Sequence, residues 1–553
     1  MSKLKVKNSA CSIVAVFFAV LLLAIPNACG ASQKKYVPVG FDSTVKAVME
    51  TWNVPGVAIA VVTKEHGSFT KGYGVRQWNQ AAPVTQKTAF GIASITKTFI
   101  GVAIGTLIDN GEISLDDRVV DHLPSFQVAD PWISQHITVR DLLSHRSGIE
   151  TYNDIFEQFG NMSPRDVLYR MKKAGQSIDF RSGFEYNNIG FAILAELIRA
   201  KTGYSWDTYI TDRLFKPLGM NNSYPSPRSF MKPNALFTSG DGWSEQTPRG
   251  LDTVTRDVAI PHAMWPRGTQ ELFLGPREAN NRHIHIHVTG IDPSQSVFAS
   301  ANDMALWSEM LLNNGALNDI RILSEKTLKE LRALTTVTSP QMLFETKNKN
   351  AHDKSFDNIG YGAGMAVASY GGEFCFGHTG LELGYEAKLV ICPDVGVAVF
   401  VVVNNRLYIS GSHQVIIQTL LDWHMRLPPT DWNKSIFAQS LKRQERVSAN
   451  SQRLRNVSAK ANFDKPVKPN DYVGLYSHPV VGNLTIRSTE AGLVARLSNE
   501  AGWVLTPFKA DTFAAEWTGP RAYISLFNFL RSETGKVERV VVPDYQVTYT
   551  RQD

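Results

Sequence analysis

Residues 90–99 read Phe90-Gly91-Ile92-Ala93-Ser94-Ile95-Thr96-Lys97-Thr98-Phe99, and the apolar run goes on through Ile100, Val102, Ile104, Leu107 and Ile108 to stop at Gly111. Apolar residues on nearly every face predict a helix buried at the centre of a domain, and a glycine past the last turn ends it. Ser94 opens that helix, where its oxygen lies near unsatisfied backbone N–H groups; Lys97 falls one turn on, on the same face, so the two side chains can touch. A hydroxyl needs a base to become a nucleophile, and a lysine desolvated beside it can lose its proton near neutral pH. The plainer account is an N-cap serine followed by a surface lysine, and the surrounding text has to decide between them.

Outward from this helix, Pro55 to Tyr73 alternates Val and Ala with turn residues, most clearly from Val57 to Val62, and predicts a hairpin of buried strands. Ser163 with Pro164 marks another helix start, and the run from Ile189 to Ala200 closes before Gly203. Phe374–Gly377, Tyr385–Cys392 and Val397–Val403 are spaced like an antiparallel meander. Strands therefore stand at both ends of this region and helices in its middle, an α/β arrangement. Residues 221–290 lack periodicity and are rich in Pro, Gly and Asn, as expected of a long irregular insertion that helps shape a site.

The chain has 553 residues, 43% apolar, 20% charged and 10% aromatic, which suits a folded globular protein and excludes disordered, collagen-like and polytopic membrane classes. The start carries Lys3, Lys5 and Lys7, then an apolar run from Ser12 to Ile25 and small residues around Ala28, Cys29, Gly30 and Ala31. This reads as an export signal over 1–31, too short to span a bilayer, with lipid attachment at Cys29 the lesser alternative because Pro26 sits where such motifs have Leu. Without those three lysines the formal charge of +6 becomes +3, too little to indicate nucleic acid. Cys375 and Cys392 remain, on what read as two arms of one hairpin; two buried free thiols are the favoured reading and a disulfide the alternative.

Several landmarks besides Ser94-Ile95-Thr96-Lys97 occur in one order: Val54-Pro55-Gly56-Val57, Leu115-Asp116-Asp117, Ile137 to His145 before Ser147-Gly148, Tyr186-Asn187-Asn188, Pro217-Leu218-Gly219-Met220 and His378-Thr379-Gly380. Over residues 40–425 this resembles the class C β-lactamases and their relatives, the penicillin-recognising serine hydrolases, peptidases and esterases. The resemblance implies the β-lactamase/transpeptidase-like fold, an antiparallel sheet flanked by helices with a helical subdomain, and acyl transfer to Ser94 without metal or organic cofactor. It implies that Lys97 keeps the phenol of Tyr186 ionisable, that Tyr186 relays the proton, and that Asn188 bonds the substrate amide. The N–H groups of Ser94 and Leu381 would form the oxyanion hole, and the strand bearing His378, Thr379, Gly380 and Leu381 would take substrate as an added strand. Family members usually have Lys-Thr-Gly at the third motif; the His-Thr-Gly form is similar to that of D,D-carboxypeptidase- and D-aminopeptidase-like members. A peptidase acting beside D-Ala or other small residues is the expectation, then an esterase, then a β-lactamase, and outside catalysis a penicillin-binding sensor. His378 is expected to titrate near the imidazole's usual value and hold a substrate carboxylate in its charged form.

Beyond the hydrolase domain at 32–430, residues 431–468 are strongly basic and predict a helical, solvated connector, with weak attraction to a membrane surface as a further reading. Residues 469–553 break into six short predicted strands, a small all-β, lipocalin-like barrel or sandwich. His283, His285 and His287 would share one face of a strand; with no carboxylates nearby, an exposed strand is favoured over a metal site. His145 and Glu185 are assigned to the scaffold. The expected partners are a small peptide or ester substrate and no nucleic acid; the oligomeric state is left open.

Overall fold

The computed structural model describes residues 35–152, 162–232, 237–238, 254–263, 282–283, 287–288, 291–338, 356–382, 384–406, 411–459, 468–490, 492–497, 502–517 and 524–552. The export-signal reading at 1–31 lies outside them, as does His285. Among the described residues no helix is long and apolar enough to cross a membrane.

An eight-stranded antiparallel sheet carries the first domain. Its strands are β1 (Gly56–Thr63), β2 (Gly67–Gly74), β3 (Thr336–Val337), β4 (Phe356–Tyr361), β5 (Ala366–Tyr370), β6 (Glu373–Glu382), β7 (Tyr385–Cys392) and β8 (Val397–Val403), in the order β3-β4-β5-β6-β7-β8-β1-β2. The two ends of the chain segment thus meet at β1 and β8, where Val57 faces Val403. Every residue of β1, β7 and β8 is buried, because helices cover both faces; hence their unbroken apolar text instead of alternation. On one face, Ala58, Ala387 and Phe400 join the core of α2 (Thr96–Asp109), α4 (Ile189–Thr202) and α5 (Ala301–Leu312). On the other, Val57, Val390 and Val401 pack with α1 (Phe41–Trp52) and α6 (Ser412–His424). The short α3 (Pro164–Arg170) starts on the predicted Ser163–Pro164 pair, closed by a capping box between Ser163 and Asp166.

Cys375 and Cys392 stand directly opposite each other on β6 and β7, Cα atoms 4.2 Å apart, and form a disulfide. The expectation of two free thiols is corrected: both cysteines point into the same buried layer as neighbours across the ladder, which spacing alone does not reveal. His283 pairs with His262, and His287 lies in a different two-stranded sheet with Phe237. Among the described residues no group of metal-ligating side chains is assembled.

The basic stretch forms α7 (Trp432–Ala459), anchored by buried Trp432 and Ile436 at its start and meeting the second domain further on. Strands β9 (Gly474–His478), β10 (Gly482–Thr489), β11 (Gly492–Leu497), β12 (Gly502–Lys509), β13 (Thr512–Trp517), β14 (Ile524–Arg531), β15 (Val537–Val542) and β16 (Val547–Arg551) close into an antiparallel barrel. Two of these eight, β12 and β16, were not expected from sequence. Pro507 breaks the pattern of β12 and coincides with a register shift against β13. The barrel is filled with side chains, among them Tyr476, Trp503, Phe513, Phe527 and Tyr549.

Candidate active site

The buried helix α2 is preceded by a tight 3-10 turn, Ala93–Ile95, and Ala93 holds a left-handed φ of 46°. That backbone conformation is costly for alanine, and it persists because the residues around it are packed. From Thr88 to Gly105, Ser94 alone is not buried. The turn therefore lifts one hydroxyl out of an otherwise closed core.

Beneath it lies Lys97, fully buried. Its Nζ is 3.2 Å from Ser94 Oγ and donates to Asn188 Oδ1 at 2.7 Å and to the Ser294 carbonyl at 3.0 Å. The same nitrogen stands 4.7 Å from the centre of the Tyr186 ring and 5.2 Å from that of Phe191. Ser94, Lys97, Tyr186 and Asn188, spread over 95 positions of sequence, thus converge on one ammonium group. Its bonds to Asn188 and the Ser294 carbonyl hold the nitrogen in place beside Ser94 Oγ.

The two asparagines of the second motif divide their work. Asn187 Oδ1 accepts from the N–H groups of Ile189 and Gly190 at the start of α4, and its Nδ2 donates to the Ile149 carbonyl. It is the cap. Asn188 turns instead to Lys97, with its Oδ1 engaged there.

The third motif lies on β6, which is an edge over only half its length. Glu373–Gly377 pair with β5, whereas among the described residues the ladder of His378–Glu382 is with β7. Gly380 explains how that edge comes near the nucleophile: a Cβ there would sit 2.0 Å from the Ile92 carbonyl oxygen and 3.3 Å from Ala93 Cβ. The glycine is required by the approach of the Ser94 turn to the strand. Thr379 is buried, and Leu381, two residues further, is partly exposed.

His378 is fully buried, and its position corrects the expectation of a titrating, carboxylate-holding cation. Its Nδ1 donates to its neighbour's carbonyl, Thr379 O, at 2.6 Å, which leaves Nε2 as the acceptor for the Tyr361 hydroxyl at 2.8 Å. Burial first, then the charge of Lys97, depress its pKa to about 3. The imidazole is neutral at neutral pH and has both nitrogens in use.

His145, which the sequence reading left to the scaffold, is inside this cluster. Its ring lies 4.4 Å from that of Tyr186 and 4.6 Å from that of Tyr361. Nδ1 accepts the Asn187 N–H at 3.0 Å, so Nε2 carries the proton. Burial and the charge of Lys97 keep it neutral, with its pKa well below the usual value. Its φ of 57° and the bond from Glu185 N to its carbonyl fix the loop that bears it. Glu185 is half-buried, and burial raises its carboxyl above the ordinary range. The place of His145 three residues before Gly148 in a recognised segment was the available signal; Ser294 and Tyr361, from the irregular and strand regions, gave none.

The model of the family described as Beta-lactamase matches residues 41–411. The chain belongs to this family. Residues 452–553 match a second model, a domain of unknown function, DUF3471. Among curated relatives, penicillin-binding protein 4 of Amycolatopsis lactamdurans is 28% identical over 358 residues, 64% of this chain and 81% of its own. The octameric penicillin-binding protein homologue from Pyrococcus abyssi superimposes with a TM-score of 0.55 at 19% identity, over 92% of this chain and 98% of the other. D-amino acid amidase from Ochrobactrum anthropi, in complex with D-phenylalanine, gives 0.52 at 19% identity over 70% of this chain and 99% of its own. The protein is thus a serine hydrolase of the β-lactamase and penicillin-binding protein type.

Proposed function

We propose that the protein is an exported amidase or peptidase that cleaves amide bonds beside D-Ala or another small or D-residue, through an acyl-enzyme on Ser94. The observation that carries this reading is the single buried Nζ of Lys97 within hydrogen-bond reach of Ser94 Oγ and Asn188 Oδ1 and against the Tyr186 ring.

In the first step Ser94 Oγ forms a bond to the substrate carbonyl carbon, and its proton passes to the Tyr186 oxygen, ionised beside the Lys97 cation. The carbonyl oxygen takes the negative charge facing the N–H groups of Ser94 and Leu381. The tetrahedral centre then expels the amine, which receives the proton by way of Tyr186, leaving the Ser94 ester. Water attacks that ester with the same groups acting in reverse. The ladder between β5 and β6 stops at Gly377, which supports a peptide-like substrate received as an added strand beside Gly380 and Leu381. The disulfide supports export, since such bonds persist in oxidising compartments. A D-amino acid amidase in complex with D-phenylalanine is among the structural neighbours, which favours a D-residue at the scissile bond.

Purified protein is assayed on D-Ala-containing peptides, D-amino acid amides, p-nitrophenyl esters and nitrocefin, with Ser94→Ala as the control. Highest kcat/KM on a D-residue amide is expected. Preference for the ester or the β-lactam would replace the amide reading, and turnover retained by Ser94→Ala would remove the site.

A further inference from the structure

We propose that the C-terminal barrel positions Tyr186 and Asn188 by clamping the loop 145–152 through the turn between β9 and β10. The turn is built for docking. His478 Nδ1 accepts the N–H groups of both Val480 and Val481 at 3.2 Å, which folds the turn onto its own histidine. Val480 and Val481 have no exposure and belong to the same apolar core as α2 and α4 of the first domain. Arg170, at the end of α3, donates to the Val480 carbonyl at 3.0 Å. The next residue, Gly482, has a left-handed φ of 85°, and a Cβ there would come within 3.3 Å of the same guanidinium.

On the other side of this contact is Tyr152, buried and held at a left-handed φ of 41°. The His478 ring lies 5.6 Å from its ring and is backed by Tyr549 of the barrel wall. The Tyr152 hydroxyl bonds Glu150, whose carboxylate also accepts Gly175 N at 2.8 Å. Three and seven residues back, at Ile149 and His145, the loop reaches the second motif by three bonds: Asn187 Nδ2 to the Ile149 carbonyl, Asn187 N to His145 Nδ1, and Glu185 N to the His145 carbonyl. A loop pinned at one end by the barrel is therefore, at its other end, what holds Tyr186-Asn187-Asn188 against Lys97. A catalytic constellation loses rate steeply when it loosens by an ångström or less, so a remote clamp of this kind acts on kcat. Arg170, Tyr152 and His478 are positioning residues here.

This inference rests on the functional reading above, in that Ser94 is taken as the nucleophile. The test uses the full chain. Arg170→Ala and His478→Ala are compared with wild type for kcat and KM on a D-amino acid amide and on p-nitrophenyl acetate, and for the rate at which a fluorophosphonate probe labels Ser94. Assays run well below each variant's measured unfolding temperature. Each variant is expected to lower kcat on both substrates about tenfold, with the ester KM within about twofold, and to slow labelling similarly. Arg170→Lys should recover most of the loss. Combining Arg170→Ala with Asn187→Ala should cost less than the product of the two single losses, because both cut one path.

Unchanged kcat and labelling in both alanine variants would overturn the clamp. So would a loss confined to the amide, which would mean that the barrel walls the cleft instead of holding the motif. If Arg170→Ala does not fold, Arg170→Gln carries the same comparison. Wild type that fails to be labelled at Ser94 would remove the functional reading, whereas labelled wild type with unaffected variants removes the clamp alone.

Discussion

The hydroxyl of Tyr361 donates to Nε2 of His378 at 2.8 Å, and neither group reaches solvent. The bond from Nδ1 to the Thr379 carbonyl fixes the tautomer of the third motif's histidine, and the Tyr361 hydroxyl takes up the other ring nitrogen. A motif position at which the family resemblance implies a lysine is here filled by a neutral ring with both nitrogens bonded. Lys97 is then the cation that the Tyr186 ring meets.

Stability should therefore depend on pH through His378 in one direction. Its folded pKa of about 3 lies below the free value near about 6.5, so the unfolded chain binds the proton first. The full contribution is present above pH ~6.5 and is lost as pH falls towards ~3, at up to about 1.4 kcal/mol per pH unit. His145 adds to the same trend, with its pKa also depressed by burial. Urea midpoints of wild type should fall between pH 6.5 and 4.5, and His378→Gln should flatten the slope by about one proton. Equal slopes would mean that His378 is protonated in the folded protein.

Gly380→Ala should nearly abolish turnover. The added Cβ meets a backbone oxygen at 2.0 Å, which a side-chain adjustment cannot relieve, so the strand edge must retreat from the Ser94 turn. A loss in kcat/KM of roughly a hundredfold or more is expected, on the scale of removing one oxyanion donor. Full activity in the alanine variant would show that the strand is free to move.

Asn187 and Asn188 should part in mutagenesis. Asn187→Ala leaves two helix N–H groups and a buried carbonyl unpaired, costing about 2 kcal/mol of stability with a milder effect on rate. Asn188→Ala removes the Lys97 partner and should lower kcat by roughly a hundredfold. Denaturant titration and steady-state kinetics on both variants check this; a reversed pattern would exchange the two roles.

Reducing the Cys375–Cys392 disulfide should destabilise the fold by about 3 kcal/mol on the chain-entropy estimate for a loop of this size. Both cysteines belong to the core behind the sheet, away from Ser94. Cys375→Ala/Cys392→Ala should then keep its kcat at low temperature while losing thermal stability. A rate loss without a stability loss would tie the bond to the site instead.

The chain text alone determined the elements whose signal is local. Ser94 and Lys97 one turn apart, the unbroken apolar strands β7 and β8, the capping pair at Ser163 and the helix after Asn188 were all legible, because periodicity and caps act over a few residues. Tertiary structure decided what depends on distant neighbours. Which asparagine caps and which meets Lys97, whether His378 carries charge, whether the two cysteines pair, and that His145 and Tyr361 join the site follow from burial and from partners tens to hundreds of positions away. A histidine's pKa is set by desolvation and nearby charge, and neither is written in its own segment. The same holds for β6: its residues predict a strand, but only the start of β5 at Ala366, opposite Gly377, sets where the ladder between the two strands stops, just before His378.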